Sequence, residues 1–288
     1  FNPSEVPVNG ESYASFALAQ DAVYQKLQST MANPPKLLGP ECVGLYGNAA
    51  GLRNYMAQMN PNTFYGIAHH LYGGSTDGTP DGYNSAFTTV LNSSNTLFPG
   101  KPRFMTEFGD IKGLIPCANL IHNSLVVEQV SGYNHWSLIW PGDIGLVEIE
   151  FPWGSSSWTS PKGYWLNPSY WSMKHYSYYI QPGFRRVKAA SNNSDVLTSA
   201  YLSPDDKRLV SVLINRSTTK PAWVALNPGS FQYDVSSIYQ TDGTHTFEPL
   251  GQVVGSQILL PAASVTTVVW DHYGPVAPSG LRATRLSG

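Results

Sequence analysis

The chain has 288 residues and a mass of 31.5 kDa, and 42% of its residues are apolar, which is enough to bury a sizeable core and too much for intrinsic disorder. No apolar run approaches the ~18–20 residues that a membrane-spanning helix needs, and 17 basic against 19 acidic residues leave a net charge of -2, which argues against a nucleic-acid partner. Only 12% of residues are charged, against a usual share of about 25%, and another 12% are aromatic, a profile that suits extracellular proteins acting on neutral polymers such as polysaccharides.

Along the chain, residues 12–30 place Phe16, Ala19, Val23 and Leu27 at helical spacing, and Pro34-Pro35 stops the run. Residues 36–41 read as a short buried strand with Glu41 at its end, followed by a predicted helix over 49–59. A second strand spans 64–72 and ends in Gly73-Gly74; a polar loop leads to a helix near 82–93. The third strand, 102–107, ends in Glu107. A helix over 115–130, with Ala118, Ile121 and Leu125 inward, precedes a fourth strand over 133–140. Strand and helix thus alternate about every 35 residues, the signature of a parallel sheet, in which chemistry gathers at the carboxyl ends of the strands.

Beyond about 175 the pattern changes to short β runs at 187–189, 197–201, 209–214, 222–226, 257–260 and 265–269. Pro204-Asp205-Asp206, Asn227-Pro228-Gly229 and Asp242-Gly243 supply turns between them, which predicts an antiparallel β-sandwich. The expected organisation is an α/β domain over 1–175, an all-β side domain over 176–273 and a linker over 274–288 that resembles the opening of a fibronectin type III module. The chain starts at Phe1 with no signal-peptide pattern. Both ends read as cuts, the expectation being a piece of a longer secreted protein.

Glu107 is the sharpest chemical candidate, a carboxylate ending an apolar strand after Thr106 and before Phe108-Gly109; the alternative is a capping or ion-paired Glu. Glu41 is placed similarly, and a hydrogen-bonding role suits it better than a catalytic one. His70 and Tyr72 alternate along one strand and share a face, either toward a pocket or as a packed aromatic pair. Trp136 and Trp140 offer indole faces to sugar rings, or serve in a core. Asp143, Glu148 and Glu150 follow the last strand as cleft or rim residues. Cys42 and Cys117 allow one disulfide or two buried thiols, and no Cys/His spacing suggests a metal site. Sequons occur at Asn92, Asn192 and Asn215. There is no Gly-x-Ser-x-Gly elbow, Walker loop or dinucleotide fingerprint. Carboxylates on a parallel barrel with aromatic walls favour glycoside hydrolysis.

These residues resemble glycoside hydrolase family 30, in particular its bacterial xylanase branch, over roughly residues 11–272. The resemblance rests on His69-His70-Leu71-Tyr72-Gly73, Phe104-Met105-Thr106-Glu107, Ile121-His122-Asn123-Ser124, Lys162-Gly163-Tyr164, the segment from Ile180 to Val187, Ser199-Ala200-Tyr201, and the segment from Leu260 to Thr267. It implies strands five to eight of a TIM (β/α)8 barrel joined to a β-sandwich side domain. It implies a retaining endo-xylanase acting on β-1,4-xylan without cofactor or metal, with Glu107 as nucleophile and His70, Tyr72 and Trp136 binding substrate; Trp140 is added to the substrate-binding candidates for its indole alone. The family's acid/base sits in an Asn-Glu-Pro motif that this sequence lacks, so the resemblance implies a donor upstream of Phe1. The missing N-terminal half of the barrel is then an expected partner, besides xylan or a related β-glycan, and the isolated chain is expected to be nearly inactive. The stretch Leu138-Ile139-Trp140-Pro141-Gly142 has no counterpart to the Arg of glucuronate-specific members. A less decorated xylan or another β-glycan (a β-1,6-glucan, a glucosylceramide-type or β-xyloside substrate) is the alternative, as is a catalytically silent carbohydrate-binding piece.

Overall fold

The computed structural model describes residues 13–141, 144–149, 163–254 and 257–274, and divides the chain into two units after Met173. The first unit runs α1 (Tyr13–Thr30), β1 (Leu38–Gly44), α2 (Tyr46–Met56), β2 (Gly66–Tyr72), α3 (Asn84–Leu97), β3 (Arg103–Glu107), α4 (Leu114–Asn123) and β4 (Gly132–Tyr133). The four strands form one sheet in the order β1-β2-β3-β4, each pair parallel. Parallel neighbours need a crossover, and a helix supplies each one. Both faces of such a sheet are covered, which is why β2 is an almost unbroken buried run through Ile67, Ala68, His69 and Leu71.

Four expectations need correction here. Helix α1 buries Ala17 and Gln20 and leaves Val23 and Ala19 exposed. Its inner face includes a glutamine because Gln20 lies over Gly39, where a Cβ would meet the amide oxygen at 2.8 Å; an apolar-periodicity reading does not count that position. Strand β1 does not end at Glu41 but continues to Gly44, with register shifts on either side of Cys42 and Glu41 itself at a left-handed φ of 61°. The fourth strand is only Gly132–Tyr133: after Asn134 bonds to the carbonyl of Met105, the chain leaves the sheet. Trp136 therefore follows the strand, and Trp140 belongs to a separate small sheet of β5 (Ile139–Pro141), β6 (Val147–Ile149) and β7 (Tyr164–Leu166), which the sequence did not announce. The helix predicted over 115–130 is α-helical to Asn123 and continues as one π turn, Ser124–Glu128.

Helix α5 (Pro168–Ser177) crosses the unit boundary. The second unit contains β8 (Arg185–Val187), β9 (Val196–Leu202), β10 (Arg208–Asn215), β11 (Ala222–Ala225), β12 (Val235–Thr241), β13 (Glu248–Gly251), β14 (Gln257–Leu260) and β15 (Ser264–Asp271). Six strands form an antiparallel sheet in the order β13-β12-β15-β10-β9-β8, and β11 pairs with β14. Ala222, Ile258 and Leu260 of the pair share one buried cluster with Leu213, Val268 and Trp270 of the large sheet. A cleft of about 1190 Å³ remains beside this cluster, lined among others by Trp223, Phe231 and Trp270 and by none of the candidate residues. The architecture is mixed α/β, a parallel sheet followed by separate antiparallel sheets, and is consistent with part of a TIM barrel plus a β domain.

Cys42 and Cys117 are separate, buried thiols. Burial pushes the Cys117 thiol up to about 12. The Asn215 amide, carried by a sequon, is fully buried and donates to the carbonyls of Lys220, Leu260 and Pro261, so it is a strand-end clamp and not a surface acceptor. Asp143, Glu150, Lys162 and the expected linker beyond Gly274 lie outside the described residues. Among the described residues no helix is long and apolar enough to cross a membrane.

Candidate active site

Three neighbouring strands bring Glu41, His70, Tyr72 and Glu107 together, with Tyr72 and Glu107 at the carboxyl ends of β2 and β3 and Glu41 within β1. On β2 the alternation of side chains puts His70 and Tyr72 on one face and sends His69 to the other. The Tyr72 hydroxyl donates to Oε1 of Glu107 at 3.2 Å, and His70 Nδ1 lies 3.7 Å from the same oxygen. On its other side, His70 Nε2 is 3.1 Å from Glu41 Oε1, so one imidazole stands between two carboxylates. The Glu107 side chain is 28% exposed and that of His70 12%: the cluster is open to a ligand without being fully solvated. Burial acts to raise the Glu41 carboxyl, but hydrogen bonds from His70 and Thr106 outweigh it and hold the group below its ordinary value. Burial, and then the Glu107 charge, push the Tyr72 phenol well up, so it remains a donor.

The wall behind Glu107 is aromatic. Phe108 is buried and packs on Tyr72 at 5.2 Å and on Tyr83 at 5.8 Å between ring centroids. Burial first, then the charge of Asp110, push Tyr83 up to about 12. Gly109 is required next: a Cβ there would sit 2.0 Å from the carbonyl oxygen of Trp136. The Trp136 amide donates to the carbonyl of Phe108 at 2.9 Å, which seats that exposed indole beside the site. Its ring meets Trp140 at 6.1 Å.

Under the cluster lies a polar layer that the sequence reading missed. His69 is fully buried, with Nε2 2.7 Å from Glu128 Oε1 and Nδ1 3.0 Å from the carbonyl of His70. When protonated, the ring can donate from both nitrogens, to the Glu128 carboxylate and to the His70 carbonyl. Burial works against that charge, and the Glu128 carboxylate overrides it, raising His69 above its ordinary value. The buried Arg103 donates to the carbonyl of Glu128 and to Ser94 Oγ. Glu128 sits in an apolar helical run, and no local signal marked it as the partner of a residue on β2. Among the described residues no group of three or more His, Cys, Asp or Glu side chains is arranged to hold a metal ion.

No family model and no curated protein matches the chain. Solved structures do. An endoxylanase of glycoside hydrolase family 30 from Clostridium papyrosolvens C71 is 19% identical, with a TM-score of 0.59 over 91% of this chain and 64% of its own. The catalytic domain of a family 30 xylanase C from Talaromyces cellulolyticus is 17% identical, with a TM-score of 0.67 over 91% of this chain and 57% of its own. A conserved exported protein from Bacteroides fragilis is 16% identical, with a TM-score of 0.70 over 90% of this chain and 60% of its own. These likenesses show a shared fold, and the chain spans less than two thirds of the length of each of these three structures.

Proposed function

We propose that the chain carries the nucleophile of a retaining glycoside hydrolase acting outside the cell on β-1,4-xylan. The observation that supports this reading is the convergence of the Tyr72 hydroxyl and the His70 ring on one oxygen of Glu107, at the carboxyl end of a parallel strand and beside an exposed indole.

In the proposed reaction the Glu107 carboxylate attacks the anomeric carbon, and the bond to the departing sugar oxygen breaks. A second carboxyl group, about 5–5.5 Å away in retaining enzymes, protonates that oxygen and then activates the water that frees the glycosyl group. Glu41 is not that group: it is engaged by His70, which lies between it and Glu107. The donor is assigned to the strands that close the barrel against the outer edges of β1 and β4, whether they belong to this polypeptide or to another. Tyr72 holds the attacking oxygen by its hydrogen bond, His70 stands beside that oxygen at 3.7 Å, and Trp136 walls the sugar.

A different β-glycan is the second reading, favoured by the absence of an arginine in the stretch from Leu138 to Pro141. Hydrolysis by the barrel-complete enzyme, followed by NMR of the first-formed anomer, tests the proposal. Retention and a loss of at least about a thousandfold in kcat for Glu107→Gln are expected; inversion, or an unchanged kcat, contradicts it.

A further inference from the structure

The small sheet beyond β4 presents a row of side chains that the reaction does not use. Trp140 on β5 is in register with Glu148 on β6, and Glu148 is in register with Trp165 on β7. Register partners project from the same face of a sheet, so the three side chains form a line of indole, carboxylate and indole. Trp140 is 39% and Trp165 41% exposed, and Glu148 is half-buried between them. Two strand spacings separate the indoles, about 9.5 Å, close to the repeat of a disaccharide in an extended β-linked glycan.

The row is tied to the segment before it by hydrogen bonds. The amides of Leu146 and Val147 bond to the carbonyls of Ser137 and Leu138 at 2.9 and 2.8 Å, and Asn167 Nδ2 donates to the carbonyl of Gly145 at 2.7 Å. Gly145 leaves no room for a side chain: a Cβ would lie 2.6 Å from the Trp140 amide nitrogen. The row also continues the candidate site, because the Trp140 ring meets that of Trp136 at 6.1 Å, and Trp136 is bonded to the residue after Glu107.

The geometry points to an extended subsite in which a neutral β-linked glycan lies across Trp140, Glu148 and Trp165. Sugar rings stack by their apolar faces on the two indoles, and Glu148 accepts hydrogen bonds from the hydroxyls of the sugar between them. A carboxylate at the centre of the row opposes a glycan that carries acidic side groups, so Glu148 is a specificity-determining residue as well as a ligand. A neutral sugar is chosen over a protein partner because the row alternates apolar faces with an acceptor and runs on from the candidate active site. The inference rests on the glycosidase reading above.

The test is direct binding of xylohexaose, cellohexaose and a xylohexaose bearing one glucuronic acid to the chain, with unfolding of each variant recorded in parallel. Trp165→Ala should weaken the preferred neutral hexasaccharide by roughly tenfold, and Trp165→Phe should keep most of the affinity. Glu148→Gln should raise the affinity of the acidic probe relative to the neutral one by about fivefold to tenfold. Unchanged binding by a folded Trp165→Ala, tighter binding of the acidic probe by the wild type, or no binding of any probe overturns the subsite. So does concentration-dependent self-association that Trp165→Ala abolishes. Labelling of Glu107 by a sugar probe is a separate readout, so the subsite can fail while the reaction stands.

Discussion

The hydroxyl of Tyr72 donates to Oε1 of Glu107 across 3.2 Å, and this bond fixes which carboxylate oxygen faces the neighbouring strand. Tyr72→Phe removes the donor and keeps the ring that packs on Phe108. In the barrel-complete enzyme the variant should form the glycosyl-enzyme ten to a hundredfold more slowly, an order of magnitude that fits a nucleophile left to wander by a fraction of an ångström. Pre-steady-state kinetics on an aryl xyloside measures it, and a rate equal to wild type would deny the bond a positioning role.

Glu128 and His69 form a fully buried pair beneath the same strands. Taking one member away leaves the other charge without its partner in the interior, so Glu128→Gln should cost about 3 kcal/mol. Because Glu128 raises His69, the pair stabilises fully below the ordinary histidine value, and its contribution fades as pH rises through the higher folded value. Hydrogen exchange at β2 and β3 amides should therefore speed up on the alkaline side in wild type. It should be fast and nearly pH-independent, beyond the intrinsic trend, in the variant.

His175 in the second unit shows the opposite linkage. It is buried between the hydroxyls of Thr267 and Thr241, and burial, then the charge of Lys174, push it down to about 3. The unfolded chain takes up a proton near pH 6.5 that the folded unit refuses. Stability present above that value should fall by up to about 1.4 kcal/mol per pH unit as pH drops from about 6.5 toward 3. Urea unfolding of wild type against His175→Gln over that range checks it: the variant should lose this slope and retain only the carboxylate contribution at lower pH.

Asn215 bridges the end of β10 to three carbonyls in the Lys220 and Leu260-Pro261 segments. Asn215→Ala should destabilise the second unit by about 2 kcal/mol, the cost of stranding buried acceptors. A shift in urea midpoint at constant m-value would report it.

The centre of the site was readable because its signal is local. Apolar runs ending in polar residues mark β2 and β3, and alternation along β2 alone pairs His70 with Tyr72. What could not be read depends on partners far along the chain. The truncation of β4 follows from where Asn134 and Trp136 find their acceptors, Met105 and Phe108. The sheet of β5, β6 and β7 is built from three-residue strands that have no periodicity to detect. Strand β12 went unannounced because its buried positions include Ser236, which accepts from the Val253 amide, and Gln240, which donates to Thr266 on β15 and to the β14 backbone, rather than apolar side chains. Glu128 was hidden for the same reason, since its role exists only where π turn and β2 meet.

The measurement that bears most directly on the reaction is covalent trapping. A barrel-complete, active preparation incubated with a 2-fluoro xylosyl donor should accumulate one stable adduct per chain, and peptide mapping should place it on Glu107. An adduct on any other residue, or full turnover of the donor with no adduct formed, would contradict the assignment of Glu107 as nucleophile.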